Sequence, residues 1–183
     1  MRASFVALFP LLALAVAYPD QLTKRVPKYD IYLYEETDCQ GDYGHMCEET
    51  EADRCCYRTG DPDWLFASAD YGDAGSTQRS DVAQIRGYTK DGTNYCHWRI
   101  TQDDKCATHS FGVAFSGAMV YAGSETPTRK RGEGAVEANK IFYKEGNRRW
   151  TIDVDSDKAK GFSASNQKKS YLKMNGKLDI LEN

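Results

Sequence analysis

Six cysteines constrain this chain more than any other feature: Cys39, Cys47, Cys55, Cys56, Cys96 and Cys106. An even set in an exported chain reads as three disulfides. Cys55 and Cys56 are adjacent and do not suit a bond to each other, because a bridge spans Cα atoms about 4.4–6.8 Å apart with a preferred torsion. They must reach two different partners, so the pair acts as a hub. The connectivity stays open, with one expectation: at least one of the pair reaches Cys96 or Cys106, because Cys96 lies mid-strand on a hairpin that must be tied to the sheet of the first strand. Residues 107–183 hold no cysteine and must be held by sheet pairing and apolar burial. Zinc is disfavoured, since there is no Cys-x-x-Cys and His45, His97 and His109 show no paired ligand spacing. No metal or cofactor is expected.

Export is read from the N-terminus. Arg2 precedes an uncharged, mostly apolar run from Phe5 to Val16, and Ala15-Val16-Ala17 supplies a small-x-small cleavage site. The run is too short to span a bilayer, which takes about 20 apolar residues, and no later stretch is long and apolar enough to span. Residues 1–17 therefore read as a signal peptide. Lys24-Arg25 follows, a dibasic site of the kind cut by kexin-type proteases, in a position where the backbone should be accessible. Residues 18–25 read as a pro-segment, and 26–183 as one β-rich domain with a candidate internal boundary near 126–134. That stretch holds Pro127, Arg129-Lys130-Arg131 and two glycines.

Charge is uneven. Val26–Pro127 carries 8 Lys and Arg against 18 Asp and Glu, whereas Thr128–Asn183 carries 13 against 8. The acidic first part argues against nucleic acid as a partner, because binding phosphates needs a positive surface. The basic remainder is read as neutralising the acidic part within one fold.

The strand signals are short and frequent. They include Ile31–Tyr34, Trp64–Ser68, Phe111–Tyr121 (divided at Gly117), Ile141–Tyr143 and Trp150–Val154. Asp91-Gly92 sits between Val82–Lys90 and Thr93–Thr101 as a two-residue hairpin turn, and Asn175-Gly176 sits between Tyr171–Met174 and Lys177–Leu181 as the strongest hairpin signal in the chain. No long helical period is present, although Asp153–Lys160 fits a short turn of helix. The expectation is an all-β fold, a disulfide-stapled sandwich or barrel of about eight to ten strands.

No enzyme signature stands out, neither Gly-x-Ser-x-Gly, nor His-Glu-x-x-His, nor a phosphate-cradling loop. No catalytic residue is assigned. A secreted ribonuclease would draw on His97, His109 and Arg99. A glycan-binding module would use exposed aromatics, but Trp64, Trp98 and Trp150 each fall inside an expected strand, where an aromatic is usually core.

Tyr34-Glu35-Glu36-Thr37-Asp38-Cys39-Gln40-Gly41 resembles the strand-turn signature of βγ-crystallin-like Greek keys, with Cys39 where that family has an aromatic. Phe66–Gly72 resembles a second copy with its glycine one place early. The resemblance implies a strand running into a tight corner that glycine permits. As a whole, the leader, the Leu22-Thr23-Lys24-Arg25 site and the six cysteines with their adjacent pair resemble small secreted cysteine-rich proteins of filamentous fungi. That resemblance implies an effector or killer-toxin-like protein, matured by a kexin-type protease and released outside the cell, in the apoplast where a plant is the host. It would act by binding a host or competitor protein or glycan.

Overall fold

The computed structural model describes residues 27–60, 65–73, 83–109, 114–122 and 134–181. The expected signal peptide with Ala17, the expected pro-segment with Lys24 and Arg25, Trp64, and all of the candidate 126–134 boundary except Gly134 lie outside these residues.

Twelve strands and two helices are described. The strands are β1 (Lys28–Tyr34), β2 (Tyr43–Glu51), β3 (Cys56–Tyr57), β4 (Ser68–Asp73), β5 (Gln84–Asp91), β6 (Asn94–Asp103), β7 (Cys106–Thr108), β8 (Gly117–Tyr121), β9 (Val136–Glu137), β10 (Lys140–Glu145), β11 (Arg148–Asp153) and β12 (Lys177–Ile180). The helices are α1 (Asp157–Ala164) and α2 (Lys168–Asn175). Seven strands form one open sheet in the order β12-β11-β10-β2-β1-β4-β7, and five form a second in the order β6-β5-β8-β3-β9.

The fold is therefore mixed α/β with two open sheets, and the expected all-β closed sandwich or barrel is wrong. The error has a local cause. Tyr171–Met174, read as a strand before an Asn-Gly hairpin turn, lies inside α2, and Gly176 caps that helix by donating its N–H to the Leu172 carbonyl at 2.7 Å. Gly176 is extended (φ −80°) and is needed for room, since a Cβ there would fall 2.6 Å from the Leu172 carbonyl oxygen. The three lysines of α2 stay at the surface or partly so, while Leu172 is fully buried. The helical turn allowed for at Asp153–Lys160 lies further on, where the Ser156 side chain caps α1 by accepting from the Ala159 N–H.

β1 is central and buried on both faces. Tyr29, Ile31 and Leu33 enter a core shared with Ile85, Phe115, Ala118 and Val120 of the five-stranded sheet side. Tyr32 and Tyr34 point the other way, onto Met46 and Phe142. The same inner face continues past β2 to a second core, where Ile141, Tyr143, Trp150 and Ile152 meet Ala159, Phe162 and Leu172 of the helices. One sheet is thus covered over part of a single face by strands and over the rest by helices.

Three disulfides tie the strand-covered part. Cys47 of β2 bonds Cys56 of β3 and joins the two sheets. Cys55 bonds Cys96 of β6, and Cys39 bonds Cys106 of β7. Neighbouring residues of an extended chain face opposite ways, so Cys56 lies in the inter-sheet core while Cys55 packs with Tyr88, Cys96 and Met119. Gly117 makes room for this: a Cβ there would sit 3.0 Å from Cys96 Sγ and 3.1 Å from Cys55 Sγ.

The corner after Tyr34 is a single 3-10 turn at Thr37–Cys39. Its left-handed residues are Asp38 (φ 60°) and Cys39 (φ 52°), not the glycine. Gly41 matters by proximity, since a Cβ there would meet the Tyr34 ring at 3.0 Å. The second resembling segment makes no such corner: Phe66 pairs singly with Phe115, and the chain runs on into β4.

Candidate functional site

Three places concentrate chemistry. The first lies on the face of the seven-stranded sheet turned away from the five-stranded sheet. Alternation brings Asp30, Tyr32 and Tyr34 of β1 beside Asp70 of β4, Lys144 of β10, Arg149 of β11 and Asp179 of β12. Arg149 is 7 % exposed and donates to Asp30 Oδ2 and to the Tyr32 hydroxyl, each at 2.6 Å, with Asp179 at 3.5 Å. Lys144 Nζ stands 3.1 Å over the Tyr32 ring, donates to the Tyr34 hydroxyl at 2.9 Å and lies 3.5 Å from Asp70. The Tyr34 hydroxyl in turn donates to Asp70.

Burial pushes the Lys144 ammonium down to about 8, against the pull of Asp70. Burial also pushes both tyrosines well above the usual phenol range, with Asp70 adding to the effect on Tyr34. These groups bond one another across five strands, β1, β4, β10, β11 and β12. Such a buried ion pair is weak evidence for stability, because desolvation offsets the attraction.

The second place is a cleft of about 180 Å³ where β2 and β10 meet the helices. It is lined by Glu35, Tyr43, His45, Phe162, Ser163 and Lys168, among others. Lys168 stands 5.3 Å from the centres of both the Tyr43 and Phe162 rings. His45 is 5 % exposed, and burial, with Arg58 and Lys168 nearby, lowers its imidazole to about 4. It is neutral at physiological pH, able to accept or donate one hydrogen bond but not to carry charge. The cleft is small beside ordinary ligand pockets, which run about 300–1,000 Å³.

The third place is the β5–β6 hairpin, turned by Gly92-Thr93, one place later than the sequence implies, with Gly92 at φ 56°. Trp98 is 65 % exposed, so its expected core position is wrong, while Trp150 is buried. The His97 ring sits edge-on to Trp98 at 4.8 Å and 3.6 Å from the Asp91 carboxylate. Nearby Tyr95 stacks on Tyr57 at 4.3 Å and takes Lys90 over its ring.

Of the nuclease set, His97 and Arg99 lie two residues apart on β6, where Arg99 bonds Gln102 at 2.8 Å, and His109 follows β7, just past Thr108, whose carbonyl accepts from Thr101. Among the described residues no three His, Cys, Asp or Glu side chains gather to hold a metal, and no helix is long and apolar enough to cross a membrane.

His45 and its cleft escaped the sequence reading because β2 was not seen. Tyr43–Glu51 mixes Gly44, His45 and three glutamates with apolar residues. The available signal was Gly44, where a Cβ would fall 2.1 Å from the Leu33 carbonyl oxygen.

A disulfide-tied body of two open sheets with a helical flank defines the class. The chain belongs to the ARB_05566_N family, described as an N-terminal domain, whose model matches residues 30–157. That span covers both sheets except β12 and stops at the first residue of α1. No curated protein matches the chain, and no solved structure does.

Proposed function

We propose that this chain is an exported binding protein that recognises a host or competitor macromolecule through the β5–β6 hairpin, and that it works by binding and not by catalysis. The carrying observation is Trp98, a large aromatic left 65 % exposed on a strand whose neighbour Cys96 is anchored to Cys55. An exposed indole on a fixed backbone gives contact area with little ordering cost, and tryptophan is enriched among binding hot spots. Further support is indirect: the leader and dibasic site imply release and trimming by a kexin-type protease, and the three disulfides suit an oxidising exterior.

A glycan target is the second reading, and the same Trp98 favours it, because an exposed ring face stacks on sugars. The test uses labelled chain applied to intact plant and fungal cells and to a glycan array. Trp98→Ala should lower retention at least tenfold with the fold unchanged. Retention unaffected by Trp98→Ala overturns the proposal, as does RNA cleavage that is lost on His97→Ala.

A further inference from the structure

The C-terminal edge of the seven-stranded sheet is built differently from the other edges. Of the five large apolar side chains exposed among the described residues, Met174, Leu178 and Ile180 fall together at the end of α2 and on β12, with exposures of 76, 49 and 61 %. β7 and β9, which end the two sheets elsewhere, have three and two residues. β6 is long, but its ladder with β5 is interrupted at Gly87/Tyr88 and Thr89/Asp91, and such irregularities protect an edge. β12 pairs with β11 without interruption and, among the described strands, has no neighbour on its other side.

The pairing pattern fixes which backbone groups point outward. Leu181 donates its N–H to the Asn147 carbonyl at 2.8 Å. In an antiparallel ladder the hydrogen-bonded residues alternate, so Lys177, Asp179 and Leu181 turn their N–H and C=O toward β11. Leu178 and Ile180 turn theirs to the open edge. A second β12 added antiparallel must therefore bond through Leu178 and Ile180.

Two symmetric registers confined to the described residues meet that condition. One is centred on Asp179 and sets Asp179 directly against its own copy, which like charge disfavours. The other is centred on Leu178. There each Leu178 faces its copy in a hydrogen-bonded pair, and each Ile180 N–H reaches the copy's Gly176 carbonyl. Each Lys177 then faces the copy's Asp179. These two residues already attract within one strand, at 3.1 Å, so the symmetric pair exchanges ion pairs and loses none. On the opposite face Leu178 and Ile180 of both copies form one apolar strip. A lysine on an edge strand usually blocks pairing; here the aspartate two residues on cancels that block in one register only.

We infer that β12 is a self-association edge, and that two copies of this chain join across a two-fold axis at Leu178 into one continuous sheet. The contact is small and the dimer correspondingly weak, so it is sought at high concentration. The Leu178 register predicts about four new backbone hydrogen bonds per dimer.

Sedimentation equilibrium on the purified, disulfide-intact chain, run up to about 1 mM, should show a reversible monomer–dimer equilibrium. Lys177→Glu sets glutamate against aspartate twice and should weaken the dimer about tenfold. Lys177 is exposed and paired only locally, so the monomer stays folded. Lys177→Arg should preserve the dimer. Leu178→Pro removes the outward N–H while leaving the β11 side of the ladder intact, and should abolish dimerisation. A chain that stays monomeric throughout overturns the inference. So does a dimer indifferent to Lys177→Glu, which would have another register or another surface. A discrete dimer that survives Leu178→Pro overturns it as well.

Discussion

The inner face of the seven-stranded sheet is closed by two unlike means. Toward β1, β4 and β7 it meets the five-stranded sheet through a core with many small residues, Ala69, Ala83, Ala107, Ala118 and Ala138 among them. That region holds every disulfide. Toward β10 and β11 it meets two short helices through Tyr143, Trp150, Phe162 and Leu172, with no cysteine. There lysines lie over rings: Lys168 over Tyr43 and Phe162, and Lys173 over Tyr143 and Trp150. Both cores hold large aromatics, Tyr29, Phe66, Tyr71 and Phe115 in the first and Tyr143, Trp150 and Phe162 in the second, so what sets the regions apart is the covalent ties of the first. The stapled region carries the Trp98 hairpin and the helical flank carries the β12 edge.

Reduction should separate the two regions most. Loop-closure reasoning assigns about 4 kcal/mol each to Cys39–Cys106 and Cys55–Cys96, whose separations are 67 and 41 residues, and about 3 kcal/mol to Cys47–Cys56. Domains of this size are stable by about 5–15 kcal/mol in total. Full reduction should therefore leave the stapled region unfolded at about 37 °C, as read by near-UV circular dichroism against an oxidised control.

Arg149 tests whether the polar face belongs to either region or bridges them. Arg149→Met leaves Asp30 buried without its cation and should cost about 3–5 kcal/mol in urea unfolding. Adding Asp30→Asn should recover part of that loss. If the single substitution is nearly neutral, the cluster does not hold β1 and β11 together.

His45 lies at the seam, and acid should act there. Its folded value of about 4 lies below the ordinary 6.5. Between those values the unfolded chain binds a proton that the folded chain refuses, so stability falls as pH drops from 6.5 toward 4 and the loss is complete below 4. The shift corresponds to about 3 kcal/mol. His45→Gln should flatten that part of the profile of unfolding free energy against pH. An unchanged slope would mean that the imidazole is protonated in the fold.

Sequence and structure agree where local signals had one meaning. The hairpin expected around Asp91-Gly92 forms, with its two-residue turn one place on at Gly92-Thr93, and Lys177–Ile180 is a strand. They part where a signal had two meanings or lacked periodicity. Asn175-Gly176 ended a helix. β2, buried by neighbours on both sides, carries too many polar residues to read as a strand, and with it went His45 and the cleft. Trp98 was read inward because an aromatic in a strand usually is; only the strand order, which puts β6 at an edge, shows it outward. The contacts of Arg149 with Asp30 and of Lys144 with Asp70 span 119 and 74 residues, a separation at which spacing carries no information.

The claim that the two regions are held differently is tested most directly by residue-resolved hydrogen exchange on the chain carrying Cys55→Ala together with Cys96→Ala. That bridge is internal to the five-stranded side. The account predicts that amides of β5, β6 and β8 lose about a hundredfold of protection, while those of β10, β11 and α2 change less than about tenfold. An equal loss in both sets would contradict it.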